Sequence, residues 1–244
     1  MKTNNLLRLV VVFSFCQIAT IFSVLSQDLA KPISFGIKVG TSSSGFTRDR
    51  QVFSDKKLGL ACGIFAEYKL MGFLGVEVAA NYVQEGGAHV SPKLVYPVSL
   101  LTVNQLVTKQ SSDVLLHTLQ IPLILNIRPS VMSENLCPRI SVGYSFDFIL
   151  NATSKDNVMM TSSPNNILIS DRHKENVTSS FSTMNMGPIL GLGLDFKSDK
   201  HIYLLDVKYK IGMSEINNLG SLTTTNGERP FSVSTLTITL GIVY

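Results

Sequence analysis

Tryptophan is absent from the 244 residues, charged residues make up only 16%, and there are just three cysteines and four histidines. Each shortage removes a class of protein. Three cysteines scattered over the chain, Cys16 in the N-terminal apolar stretch, Cys62 in an alternating run and Cys137 beside a proline in an expected turn, give no disulfide framework. Lys and Arg exceed Asp and Glu by only four, with no basic cluster, so the electrostatic footprint of a nucleic-acid binder is missing. Beyond the N-terminus no run approaches the ~18 apolar residues of a membrane-crossing helix. No metal-ligand spacing stands out. The glycines of Gly187 to Gly193 alternate in a strand instead of opening a helix, so no phosphate-cradling loop is present either. No cofactor or metal is expected.

What remains is apolar residues in quantity, 45% of the chain, arranged with a period of two. The N-terminus stands apart. Lys2 and Arg8 precede Leu9 to Phe13 and a further apolar stretch to Leu25, with Ser26 at a cleavage position. Residues 1–26 read as a secretory signal peptide, which leaves 27–244 as one mature domain. Losing Lys2 and Arg8 takes the formal charge from +4 to +2.

Eight alternating runs follow. The clearest pair is Leu190, Leu192, Leu194 and Phe196 interleaved with Gly191, Gly193 and Asp195, then Tyr203, Leu205, Val207 and Tyr209 interleaved with Leu204, Asp206, Lys208 and Lys210. At 100° per residue these apolar positions would scatter round a helix; at period two they make one face. A four-residue turn over Lys197–Lys200 would set Gly193 across from Leu204 and Gly191 across from Asp206. Similar runs start near Ile33, Leu58, Leu74, Leu119, Ile140 and Leu236. Each approaches the ~9–11 residues of a tilted membrane strand. Short connections (Leu70 to Gly72, Arg128 to Pro138, Lys197 to Lys200) alternate with long polar ones (Ser44 to Lys56, Glu85 to Asp113, Asn151 to Ser179, Glu215 to Pro230). That asymmetry predicts an all-β fold: an eight-stranded antiparallel transmembrane β-barrel with short periplasmic turns and long extracellular loops, in the cell outer membrane.

In such a barrel the apolar face meets lipid and the other face lines the lumen. Inward positions carry Lys38, Glu67, Glu77, Arg139, Asp147, Asp195, Asp206, Lys208 and Lys210. Unpaired charges there would be very costly, so a paired structural network is expected, with inward glycines making room for the long side chains. The network suits a polar plug in a narrow barrel, and less readily an ion or proton pathway. Girdle aromatics are expected at Tyr68, Phe73, Phe196, Tyr203 and Tyr244 on the periplasmic side, and at Tyr82, Phe148 and Tyr209 on the outer side.

Gly36 to Gly40, Gly59 to Tyr68, Asn81-Tyr-Val-Gln-Glu-Gly-Gly-Ala88, Leu119-Gln-Ile-Pro-Leu-Ile-Leu125, Gly187 to Asp195 and the closing Thr237 to Tyr244 together resemble the Bacteroidota outer-membrane β-barrel domain family, the PorT-like proteins. Pro122 is unusual inside a strand, where an inward bulge could accommodate it. The resemblance implies that Tyr244 is the terminal aromatic offered to the barrel-assembly machinery. Most members of that family have no established activity, and some are linked to the secretion of other proteins; a small closed barrel without catalysis is expected.

The function expected is therefore structural or partner-binding through the extracellular loops, with outer-membrane lipid as a second partner and no nucleic acid. Two alternatives make different demands. An outer-membrane lipid-modifying enzyme needs a histidine with Ser or Asp beside it, and His117 with Ser111, Ser112 and Asp113 is the sole candidate cluster. A lipocalin-like ligand carrier needs the apolar face turned inward.

Overall fold

The computed structural model describes residues 33–48, 51–52, 54–90, 105–129, 135–162, 167–198, 201–216 and 231–244. The segment read as a signal peptide lies outside them. The period-two runs form ten strands: β1 (Ile33–Arg48), β2 (Gln51–Val52), β3 (Asp55–Met71), β4 (Leu74–Val90), β5 (Gln105–Ile127), β6 (Leu136–Ser162), β7 (Ile167–Asn176), β8 (Met184–Lys197), β9 (Ile202–Lys210) and β10 (Phe231–Val243). Eight of them run β10-β9-β8-β6-β5-β4-β3-β1, and β10 pairs back onto β1 from Gly36↔Val243 to Arg48↔Phe231. The sheet therefore closes, and every ring strand has a neighbour on both sides. Closure is what hydrocarbon demands, since unpaired backbone N–H and C=O groups there cost several kcal/mol each.

The faces divide as the alternation requires. Leu192, Val207 and Ile238 are 66%, 40% and 45% exposed on the outside of the ring, whereas Asp206 is 1% exposed inside it. A lipocalin-like arrangement needs the reverse and is overturned. Tyr68, Phe73, Phe196, Tyr203 and Tyr244 are exposed near the short-turn end.

Four details differ from the sequence expectation. The β8–β9 pair is shifted by two, with Gly193 opposite Asp206, Gly191 opposite Lys208 and Lys197 opposite Ile202. The turn is Ser198 to His201, closed by the Ser198 N–H donating to the His201 carbonyl at 2.9 Å. A two-residue shift preserves the faces, which is why the alternation alone could not detect it. Pro122 needs no bulge: it pairs with Ser145 on β6, and the β4–β5 register is the same on either side of it, from Val78↔Leu123 to Asn81↔Gln120. Cys137 lies in β6 instead of a turn, and both it and Cys62 are free thiols.

The fourth difference concerns the long connections, much of which is strand. β4 continues to Val90, β5 begins at Gln105, and β6 extends to Ser162, where it pairs with the added strand β7. Turn-forming residues within these segments disguised hairpins that continue past the membrane. Where β7 returns to the ring, a 3₁₀ turn, η1 (Thr178–Ser180), is held by the Thr178 hydroxyl. That oxygen donates to Asn151 Oδ1 at 2.9 Å and accepts from the Ala152 N–H at 2.9 Å. Asn176 Oδ1 accepts from the Thr178 N–H at 3.0 Å.

Candidate functional site

Two groups of polar side chains stand out, one inside the ring and one on its outer face. The inner group is stacked in layers. At the periplasmic mouth Arg128 holds Glu67 with both terminal nitrogens, at 2.5 and 2.7 Å, and donates Nε to Asp195 at 2.9 Å. A cleft of about 120 Å³ opens there beside Lys69, Cys137 and Lys197. Above it Arg139, fully buried, reaches Asp206 at 2.5 Å and Asp195 at 3.4 Å. Lys38 joins Glu77 at 2.8 Å and Asp206 at 3.0 Å, with its ammonium 4.1 Å from the centre of the Phe65 ring. Lys208 reaches Glu77 at 3.1 Å. Asn126 donates to the remaining Glu77 oxygen at 3.0 Å and accepts from the Ser141 hydroxyl at 2.7 Å.

Higher still, Lys210 bridges Glu85, at 2.7 Å, and Asp147. Glu85 also accepts from Gln120 at 2.7 Å and Thr235 at 2.6 Å, while Ser145 donates to Asp147. A cavity of about 40 Å³ lies between these layers, bordered by Lys38, Lys208, Lys210 and Gln120. That is room for little more than water.

Two apolar clusters pack with the stack. Phe65, Ala79, Leu204 and Val243 form the lower one, beside the Lys38 layer and the mouth cleft. At the extracellular end Phe46, Phe181 and Phe231 pack with Val177, Ile216, Val233 and others. There the Phe231 ring meets Phe46 edge-on at 5.2 Å and Phe181 at 6.3 Å. The inward glycines supply the space the charges occupy. A Cβ on Gly193 would sit 2.6 Å from Asp206 Oδ1, and one on Gly75 would collide with the Glu67 carboxylate.

All nine charges assigned to the lumen from the sequence are inward and ion-paired. Two members were not anticipated. Arg128 opens a connection that reads as a turn, and Glu85 opens one that reads as a loop. Both continue the parity of their strands, Arg128 with Gln120, Ile124 and Asn126, Glu85 with Glu77, Asn81 and Val83. Following parity past the apparent strand end would have found them.

The outer group includes His117, but without the partners a hydrolase needs. Its Nδ1 lies 2.5 Å from the Tyr82 hydroxyl. Asp113 is four residues away, roughly 13 Å along the strand, and its Oδ1 accepts from the His89 backbone N–H at 3.0 Å. Ser111 and Ser112 are paired still further up β5, opposite Asn157 and Asp156. The cluster considered for catalysis is therefore drawn out along a strand. Among the described residues no group of three or more His, Cys, Asp or Glu could hold a metal ion.

A closed ring with apolar residues outside and ion pairs inside is the architecture of a bacterial envelope barrel, and the sequence comparison agrees. The outer membrane protein beta-barrel domain family matches residues 25–218. The chain belongs to that family. As a member of the outer membrane protein beta-barrel domain family it is a small outer-membrane barrel, with short turns on the periplasmic side and the long connections outside the cell. Solved structures similar to this family member include the outer membrane protein OprG from Pseudomonas aeruginosa, 16% identical, covering 88% of this chain and 96% of that one with a TM-score of 0.44. Neisserial surface protein A is 11% identical, covering 87% and 98%, with a TM-score of 0.43. Ail, the attachment invasion locus protein of Yersinia pestis, is 13% identical, covering 88% and 100%, with a TM-score of 0.38. No curated protein matches the chain.

Proposed function

We propose that this barrel is a filled, non-conducting and non-catalytic scaffold of the PorT-like branch, which holds its extended extracellular hairpins out to a protein partner. The observation that carries this reading is the continuous filling of the lumen. Three ion-paired levels rise from the periplasmic mouth, with Phe65, Ala79, Leu204 and Val243 packed beside the lower two and an aromatic layer above, so translocation would require desolvated, mutually paired charges to part. With the lumen filled and no catalytic group assembled among the described residues, the part available for function is what projects. β5 and β6 run for 23 and 27 residues, well past the membrane, and carry β7 with them.

An accessory part in envelope or secretion processes fits this design. Residues 1–26 would act as the export signal, and the exposed Tyr244, at the end of β10, would be read by the barrel-assembly machinery. Two measurements test the reading. Purified protein in a planar bilayer should give no sustained conductance; stable open-channel current would refute the filled lumen. Cross-linking in the native envelope should capture a protein through β6–β7, and replacing residues 156–173 by a short turn should abolish capture while leaving the heat-dependent gel shift of a folded barrel. Capture that survives that replacement would refute the role of the hairpins.

A further inference from the structure

The outward face of β4, β5 and β6 breaks its apolar pattern at one place. Gln84, His117 and Asn151 are register neighbours on three adjacent strands. They lie next to the row of Tyr82, Leu119 and Phe148. Distance along the strands fixes their depth. From Phe73, at the periplasmic turn, to Tyr82 is nine residues. At about 3.3 Å per residue and a tilt of about 40°, that is a rise of roughly 23 Å, close to the ~25 Å apolar band of such barrels. His117 thus lies where hydrocarbon gives way to the headgroups of the outer leaflet.

The hydrogen bonds there form a chain with one direction. The Leu60 backbone N–H, at the β3–β4 register shift, donates to Gln84 Oε1 at 3.2 Å. Gln84 Nε2 points its N–H at the Tyr82 hydroxyl, 3.5 Å away. His117 Nδ1 lies 2.5 Å from the Tyr82 hydroxyl; with the Tyr82 oxygen already supplied with a donor, we assign its own proton to that nitrogen. A neutral imidazole that accepts at Nδ1 carries its proton on Nε2. Nε2 has no partner among the described residues. An N–H left bare at the edge of hydrocarbon is costly, so the chain ends on a donor that no described residue satisfies and that an acceptor in the headgroup layer would meet.

We propose that His117, held by Tyr82 and Gln84, is a binding site for a phosphate oxygen on the headgroup of an outer-leaflet phosphorylated glycolipid. Phosphate is favoured over a neutral carbonyl because a charged acceptor makes a hydrogen bond about twice as strong. Further out on the same face, Lys155 and Lys174 are exposed register neighbours across β6 and β7, and with Asp113 of β5 opposite Lys155 they leave an excess of positive charge over the site. The inference rests on the outward face meeting lipid. It adds a specific headgroup contact to that placement and replaces the catalytic role considered for His117.

The test uses the full mature chain, folded in detergent, with native mass spectrometry reading bound lipid. The probes are a phosphorylated acyl-glucosamine glycolipid, its phosphatase-treated form and inorganic phosphate. Wild-type protein should retain the phosphorylated lipid about tenfold more strongly than the dephosphorylated one, the size of a charge-assisted hydrogen bond. His117→Phe keeps the ring and removes the donor, and it should erase that difference while the protein still shifts on heating. Tyr82→Phe should reduce the difference by freeing the ring to turn. Equal retention of both lipids by wild type, or an undiminished preference in His117→Phe, would overturn the site. Competition by millimolar inorganic phosphate would overturn the assignment to lipid. Failure to retain either lipid would likewise overturn the site, while the heat-dependent gel shift and insertion into vesicles report separately on the barrel and its placement in the bilayer.

Discussion

Replacing Lys210 by Met offers the sharpest test of the lumen network. The side chain keeps its length and apolar stem but loses the ammonium that lies 2.7 Å from Glu85 and also pairs with Asp147. No other base among the described residues pairs with either carboxylate, so the substitution leaves two buried acids facing one another. Gln120, Thr235 and Ser145 still donate to them but bring no charge. Removing one member of a buried ion pair costs about 3–5 kcal/mol, and the upper end applies because two partners are stranded. Arg139→Met should cost less, because Asp206 keeps Lys38 at 3.0 Å and Asp195 keeps Arg128 at 2.9 Å. Adding Glu85→Gln and Asp147→Asn to Lys210→Met removes the stranded charge and should recover most of the loss. The assay is reversible urea unfolding in detergent micelles, followed by circular dichroism and by the heat-dependent gel shift, with linear extrapolation to water. The order Lys210→Met, then Arg139→Met, then the triple variant, from least to most stable, is required. A Lys210→Met barrel within about 1 kcal/mol of wild type, or a triple variant no better than the single one, would refute the claim that the charges are desolvated and mutually dependent.

Val207→Arg puts a cation on the lipid face four residues from Tyr203, near mid-depth, and should cost about 2–4 kcal/mol in the same unfolding assay. Lys208→Gln, its inward neighbour, should behave differently by weakening the Glu77 layer without affecting insertion into vesicles. Gly193→Ala pushes a Cβ against Asp206 and the Arg139 guanidinium and should cost about 1–3 kcal/mol by overpacking, read as a lower urea midpoint. Phe231→Ala removes the ring between Phe46 and Phe181. It should cost about 3–5 kcal/mol and speed proteolysis at the extracellular end, leaving the periplasmic end resistant.

Much of this was legible from parity alone. The side of the sheet for Leu192, Val207, Asp206 and Lys38 follows from a period of two, because burying one face fixes it regardless of register. Register itself was not legible. The β8–β9 hairpin could slide by two residues with every side chain still on its proper face, and the closure between Ser198 and His201 decided the matter. Strand length was misjudged for a different reason. Beyond the bilayer the sheet no longer needs an apolar exterior, so the hydropathy signal fades at Glu85 and Asn151 while the backbone ladder continues. Glu85 was lost with that fading, and Arg128 was lost to the turn composition that follows it. The Tyr82–His117 contact lies 35 residues apart across β4 and β5 and emerged only once the pairing was fixed.

The ion pairs that fill this barrel join partners far apart in the chain: Lys210 to Glu85 spans 125 residues, Lys208 to Glu77 spans 131, and Thr235 reaches back 150 to Glu85. None can form in a growing, half-curled sheet, where the acids and bases would still be bathed in solvent. They can shed that water only as the last strand seats against the first. Zipping β10 onto β1 and drying the interior must therefore be a single event, and an assembly that stalls one strand short has a wet, unfastened middle and little to hold it together.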